Sequence, residues 1–242
     1  GLGKIFKKAM HATDDQTSVI VDYEPYTPSY EAPAGFMASP IVKNGKRIGV
    51  LIFQMPIEEI TRQVSIGEVL GATGETIMVG PDFLMRSDSK LDEAHSVQNS
   101  FRRPETGKVD TFATRSVFEK GTSGLGLGFD YRKQLTYIMF TPFKFKDLTW
   151  CFNVKVDLEE AMVPMDDPND PKTAYYHKLF DMYGFYDIFL ISPNGFCFYT
   201  VAKEADYHTN LLDGPYKDSG LGQAVRKSVE SKVMAFADYA PY

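Results

Sequence analysis

Residues 125–156 read LGLGFDYRKQLTYIMFTPFKFKDLTWCFNVKV, and their reading decides the fold. Three runs, 125–131, 134–142 and 148–156, are rich in aromatic and β-branched residues and are separated by short polar turns. They read as a three-stranded antiparallel meander. Upstream, 75–80 and 83–88 are two further strand-like runs, and a helical stretch, 108–119, separates them from the meander. Strand, strand, helix and meander together make 65–163 one complete module of ordinary domain size.

Toward the N-terminus, strand runs 38–43 and 47–55 flank Asn44-Gly45, the strongest short hairpin signal. Pro56-Ile57-Glu58-Glu59-Ile60 then opens a helix, with proline in the first turn and acids at its positive end. Toward the C-terminus, Met165-Asp166-Asp167-Pro168-Asn169-Asp170-Pro171 marks a linker over 164–172, because two prolines and three acids oppose regular structure. Residues 173–183 read as a helix. Strands 185–192 and 196–202 follow around the Pro193-Asn194-Gly195 turn.

The two ends of the chain repeat each other. Gly1-Leu2-Gly3-Lys4-Ile5-Phe6-Lys7-Lys8 resembles Gly220-Leu221-Gly222-Gln223-Ala224-Val225-Arg226-Lys227, and Asp22-Tyr23-Glu24-Pro25-Tyr26 matches Asp238-Tyr239-Ala240-Pro241-Tyr242. Two blocks in the same order at nearly equal offsets signal an internal repeat. Residues 1–64 read as the closing half of a module and 173–242 as a helix plus an opening half. Tandem copies cut out of phase, or a permuted order, account for this. The fold class is α+β, with PAS-like antiparallel sheets flanked by helices and one module split into two separated halves. The edges of 47–55 and 185–192 are expected to pair, joining the halves within one chain or by strand exchange between chains in a homodimer.

The apolar fraction of 43% supports a packed core, and the net charge of −6 with dispersed Lys and Arg excludes a nucleic-acid stripe. No window is long and apolar enough for a membrane helix, so any membrane attachment runs through segments outside this chain. Cys151 and Cys197 make no disulfide framework and are expected as free thiols. His11, His95, His177 and His208 are scattered singly, which gives neither a zinc site nor a nucleophile–base pair. Gly124-Leu125-Gly126-Leu127-Gly128 lacks the strand, helix and distant acid of a dinucleotide loop. No catalytic residue, metal or cofactor is expected.

Several motifs resemble the double Cache sensor family. Asp187-Ile188-Phe189-Leu190-Ile191, Tyr199-Thr200-Val201-Ala202-Lys203-Glu204-Ala205-Asp206 and Thr209-Asn210-Leu211 are similar to the start of its membrane-distal module. Asp22-Tyr23-Glu24-Pro25-Tyr26, Gly49-Val50-Leu51-Ile52-Phe53-Gln54 and Met55-Pro56-Ile57 resemble the later part of that module. Gly74-Glu75-Thr76, Val79-Gly80-Pro81-Asp82 and Met85-Arg86-Ser87-Asp88 resemble the membrane-proximal module. The resemblance implies the periplasmic or extracellular portion of a bacterial inner-membrane receptor. That receptor would be a methyl-accepting chemotaxis protein or, alternatively, a histidine kinase or diguanylate cyclase; a soluble solute-binding protein is the remaining alternative. The order departs from the family, since the opening half of the distal module comes last.

A sensor of this kind binds a small molecule of the amino acid, amine or organic acid class over a concave sheet face. Tyr199, Lys203, Asp206 and Tyr207, with Asp22, Tyr23 and Tyr26, form the candidate distal site, and Asp238 and Tyr239 are the equivalents in the second copy. An acid can pair with a ligand ammonium and the lysine with a carboxylate; equally, Asp and Tyr serve turns and sheet packing. In the proximal module the candidates are Arg86 and Tyr131. Arg86 either points inward, where it needs an anionic partner, or lies solvated on the surface.

Overall fold

The structure, a computed structural model, describes residues 1–12, 18–65, 67–167 and 169–238. Its chain divides into two units, Gly1–Asp157 and Leu158–Tyr242. Residues 158–163, expected with the proximal module, thus lie in the second unit. Pro168 of the linker and Tyr239 of the candidate site lie outside the described residues.

In the first unit, helix α1 (Leu2–Met10) places Ile5 and Ala9 one turn apart on one face. Both are fully buried against Val19 and Val21 of strand β1 (Val19–Tyr26) and Ala34, Phe36 and Ala38 of β2 (Ala32–Lys43). Burying Ile5 alone contributes about 2–3 kcal/mol. Strand β3 (Lys46–Gln54) follows across Asn44 and Gly45, at φ 52° and 71°. Positive φ at both turn positions matches the twist of the flanking strands, which is why Asn-Gly serves there. The three strands form one antiparallel sheet in the order β1-β2-β3.

Helix α2 (Ile57–Val64) leads to a second antiparallel sheet built from β4 (Glu75–Val79), β5 (Gly124–Phe129), β6 (Leu135–Phe145) and β7 (Leu148–Asp157). Its order is β4-β7-β6-β5, so the opening strand pairs with the last strand of the meander. Between β4 and β5 run α3 (Val97–Arg102), α4 (Pro104–Gly107) and α5 (Phe112–Lys120). Val97, Ala113 and Val117 from these helices pack on Ile77, Val79, Ile138, Phe140 and Cys151. A further cluster of Ile20, Tyr23, Met55, Met78 and Trp150 joins the two sheets of this unit.

Two expected elements differ. Run 83–88 is not a strand: Phe83 has φ 64°, and only Met85 bridges to Val79. Two backbone bonds remain, Arg86 N to the Met78 carbonyl and Gly80 N to that of Leu84, and side-chain hydroxyls take the neighbouring amides, Ser87 Oγ accepting from Met78 N and Ser100 Oγ from Met85 N. The helix expected over 108–119 begins at Phe112, because Thr111 and Thr114 form a reciprocal N-cap.

The second unit holds α6 (Leu158–Met162), α7 (Tyr175–Tyr183), the hairpin β8 (Phe189–Ile191) and β9 (Cys197–Thr200), and α8 (Gly220–Ser231). Cys197, Leu211 and Val225 form its core, with Phe189, Ile191 and Leu221 packed around them. The acidic linker is more ordered than its composition suggests. Met165 bridges Ala174, and Thr173 Oγ1 donates to the carbonyls of Asp167 and Asp170.

Strand 185–192 shrinks to three residues, since the Asp187 carboxylate takes the amides of Ile188, Val201 and Ala202 in place of a ladder. Within the units, β1-β2-β3 forms one sheet and β8-β9 another. Each half carries its own Gly-Leu-Gly helix, α1 or α8, which covers that half's apolar face. Cys151 and Cys197 are both free and buried.

Candidate functional site

In the second unit the residues after β9 form a tightly braced loop. Thr200, fully buried, donates to Asp187 Oδ2 and accepts from Lys203 N at 2.8 Å. Lys203 and His208 both adopt positive φ, 51° and 61°. Such backbone costs of order 1–3 kcal/mol per residue and persists only where its surroundings over-determine it. Here the brace is Asp187 and Thr200 on one side and a stack of rings on the other. The rings of Tyr207 and His208 lie 3.7 Å apart, and that of His208 lies 5.9 Å from Phe196.

This loop aims two donors at one carboxylate. Lys203 Nζ lies 3.0 Å from Glu159 Oε1, and Tyr207 OH donates to Glu159 Oε2 at 2.5 Å. The Lys203 ammonium also sits 5.1 Å from the Tyr207 ring centroid, which adds cation–π attraction. Asp206, almost wholly buried, turns the chain between them, its carbonyl accepting from Thr209. Tyr199 is buried with its ring 5.8 Å from Tyr176. Burial, then the charges of Glu159 and Asp187, hold the Tyr199 phenol above its ordinary value. Burial likewise pushes the Cys197 thiol up to about 12, so it is no thiolate nucleophile. All four residues singled out here, Tyr199, Lys203, Asp206 and Tyr207, thus fall on one strand and its following loop. Asp238 lies on the exposed segment after α8.

Asp22, Tyr23, Tyr26, Arg86 and Tyr131 belong to the first unit and have partners within it. Asp22 and Arg86, each expected to meet a ligand's charge, meet each other. Arg86 Nε and Nη2 donate to the two Asp22 oxygens at 2.8 and 2.9 Å. Asp22 Oδ1 also accepts from Trp150 Nε1 at 3.1 Å. Of the two readings of Arg86, the inward one holds: it is 1% exposed and also pairs with Asp82 at 3.0 Å. A Cβ at Gly80 would lie 2.2 Å from Arg86 Cζ, so glycine there makes room for the guanidinium. Burial alone would lower the Arg86 pKa, but the bonds to Asp22 and Asp82 outweigh it and hold the group protonated. Tyr23 packs on Trp150 and donates to the Met55 carbonyl, and Tyr26 meets Phe36 edge-on.

Tyr131 sits in a buried ionic network that sequence reading missed. Lys155, 3% exposed on the inner strand β7, pairs with Glu75 at 2.9 Å and Asp130 at 2.5 Å, its ammonium 4.4 Å from the Tyr131 ring centroid. Tyr131 OH donates to Glu75, and Arg132 bridges Asp130 to Asp157. Burial, then Glu75, raises the Tyr131 phenol further. The network occupies one end of the sheet face whose remainder carries the apolar core of Ile77, Val79 and Cys151. The missed signal was Tyr131 beside Asp130 and Arg132, read as a hairpin tip alone. Among the described residues no cluster of three His, Cys, Asp or Glu is arranged to hold a metal, and no helix is long and apolar enough to cross a membrane.

No protein-family model matches the chain, and no curated protein sequence matches it. Solved structures do. The periplasmic sensory domain of the Campylobacter jejuni chemoreceptor Tlp1 matches at TM-score 0.50 and 15% identity, over 69% of this chain and 57% of that one. The ligand-binding domain of the Pseudomonas aeruginosa PAO1 amino acid chemoreceptor PctC, in complex with GABA, matches at TM-score 0.42 and 16% identity, over 63% and 60%. The extracellular domain of the putative histidine kinase vpHK1S-Z8 matches at TM-score 0.43 and 16% identity, over 63% and 55%. The chain therefore spans 55–60% of the length of these domains. At such identities the likeness is one of fold, and the Tlp1 match carries it. Over the matched 69%, the chain shares the fold of this periplasmic sensory domain.

Proposed function

We propose that this chain is the extracytoplasmic small-molecule sensing region of a transmembrane chemoreceptor and not an enzyme. The observation that carries the reading is the braced loop of the second unit, where Lys203 and Tyr207 aim two donors at a single carboxylate beside buried Tyr199 and Asp206. A cation, an acid and aromatic walls on one rigid loop suit a small organic or amino acid. The fold shared with a periplasmic sensory domain supports the setting. In this reading the first unit is the closing half of a distal module packed on a proximal module, and the second unit is an opening half. A bound solute favours one conformation of the loop, and the population shift passes to the helices of the receptor. Among the described residues β3 and β8 each have one strand neighbour, which leaves edges on which copies could exchange strands.

A thermal-shift screen over amino acids, organic acids, amines and purines tests the reading. At 100 times Kd a specific ligand is expected to stabilise by about 2.7 kcal/mol. Lys203→Met is expected to weaken a hit at least about tenfold, the worth of one charge-assisted hydrogen bond. A screen with no hit, or a hit that Lys203→Met and Tyr207→Phe bind as tightly as wild type, contradicts the assignment.

A further inference from the structure

Glu159 holds the position that a ligand carboxylate would take. Each of its oxygens receives one donor, Lys203 Nζ and Tyr207 OH, in the two-point arrangement by which proteins receive free carboxylates. The donors come from a loop fixed by Asp187, Thr200 and the Phe196–His208–Tyr207 ring stack. Glu159, by contrast, lies on α6, a helix of five residues, with its side chain 30% exposed. The backbone that carries the donors is therefore braced, while the Lys203 side chain, 50% exposed, is open to solvent and the occupant is held on a short element.

We infer that Glu159 is an internal stand-in for ligand, and that a carboxylate-bearing solute binds by displacing it from Lys203 and Tyr207. The inference rests on the sensing site proposed above and deepens it by naming the ligand class and the group that leaves. Exchange of one carboxylate for another keeps the Lys203 and Tyr207 donors satisfied throughout, so neither is left desolvated and unpaired at any stage. What changes is α6, which loses its tie to the loop. Because α6 follows β7 with no intervening residue, release of Glu159 acts on the chain directly after the meander's last strand. Ligand binding and freeing of α6 are thus one event. Affinity for ligand is set by competition with a tethered carboxylate, which keeps the site insensitive to weak anions.

Acetate is the minimal probe. In Glu159→Ala the seat is vacated, and 100 mM acetate is expected to raise Tm by about 3 °C over equal chloride, as a site with Kd near ~10 mM would. Wild type, whose seat is filled, and Glu159→Ala/Lys203→Met, whose seat lacks its cation, are expected to show no such difference. An equal acetate response in all three proteins, or none in Glu159→Ala, overturns the inference. Glu159→Gln guards against a misfolded alanine variant. Its neutral amide holds Lys203 less strongly, so an NMR titration is expected to give acetate affinity about tenfold above wild type. Equal affinity contradicts the displacement. Screen hits confined to molecules without a carboxylate would overturn this ligand class while leaving the sensing role standing.

Discussion

Arg86→Met is expected to destabilise the first unit by about 3–5 kcal/mol, the typical cost of breaking a buried ion pair from one side. The Arg86 side chain is 2% exposed and that of Asp22 22%, so solvent compensates Asp22 only in part and the lower end of this range is expected. Asp22 would keep the indole N–H of Trp150 and its neighbouring amide and lose both guanidinium bonds. The carbonyls of Leu84 and Met85 would each lose a guanidinium bond, Leu84 keeping the amide of Gly80. Arg86→Lys keeps the charge but not the fork, and is expected to recover only about half of the loss. Trp150 is the chain's one tryptophan and touches Asp22 directly. Urea denaturation followed by its fluorescence therefore reads this unit. A midpoint within about 0.5 kcal/mol of wild type, the range of ordinary surface changes, would contradict the account.

Lys155→Met is expected to cost a similar amount at pH 7, about 3–5 kcal/mol, and to change the acid response. In the wild type, burial pushes the Asp130 carboxyl up, but Lys155 and Arg132 outweigh it and hold it below its ordinary value. A depressed carboxyl contributes stability above its unfolded pKa, about 3.9, that is lost as pH falls through the folded value. Asp157 works the other way. Burial holds it up despite Arg132, so its contribution fades as pH rises through its folded value. The two shifts have opposite signs, so the informative quantity is the difference between variant and wild type at each pH.

Without Lys155, Arg132 alone opposes burial at Asp130 and the folded value rises from that of the wild type. The variant should then gain stability relative to the wild type as pH falls from 7 toward about 4. Urea midpoints of both proteins across that range check the difference. Parallel pH profiles would contradict the network's assignment to Lys155.

The fold was legible where periodicity and turn chemistry act locally. Asn44-Gly45 adopts the left-handed pair its identity requires, and the three runs after Leu125 pair as a meander. The exceptions are places where side chains take over backbone bonds. Ser87 and Ser100 take amides beside the single bridge at 83–88, and Asp187 replaces the start of another strand. Nothing in their spacing distinguishes them from ordinary turn residues.

The site was legible in part. Lys203, Asp206 and Tyr207 stand together because they share one loop, a local fact. Their partner Glu159 lies far away in sequence and looked like an ordinary helix acid. Strand β7 shows the deeper limit. Phe152, Val154 and Val156 look like its core face, with Asn153 and Lys155 toward solvent. The structure buries Cys151, Asn153 and Lys155 beneath the helices instead. Alternation reports which residues share a face, while the charges of Glu75 and Asp130, on other elements, decide which face turns inward.

The central claim is that the loop following β9 receives a small solute. Hydrogen–deuterium exchange with and without a saturating screen hit tests it most directly. Slower exchange is expected at residues 197–211, with faster exchange at 158–162 as α6 loses its tie. Protection confined to other segments, or unchanged exchange across 197–211 at saturation, would contradict the account.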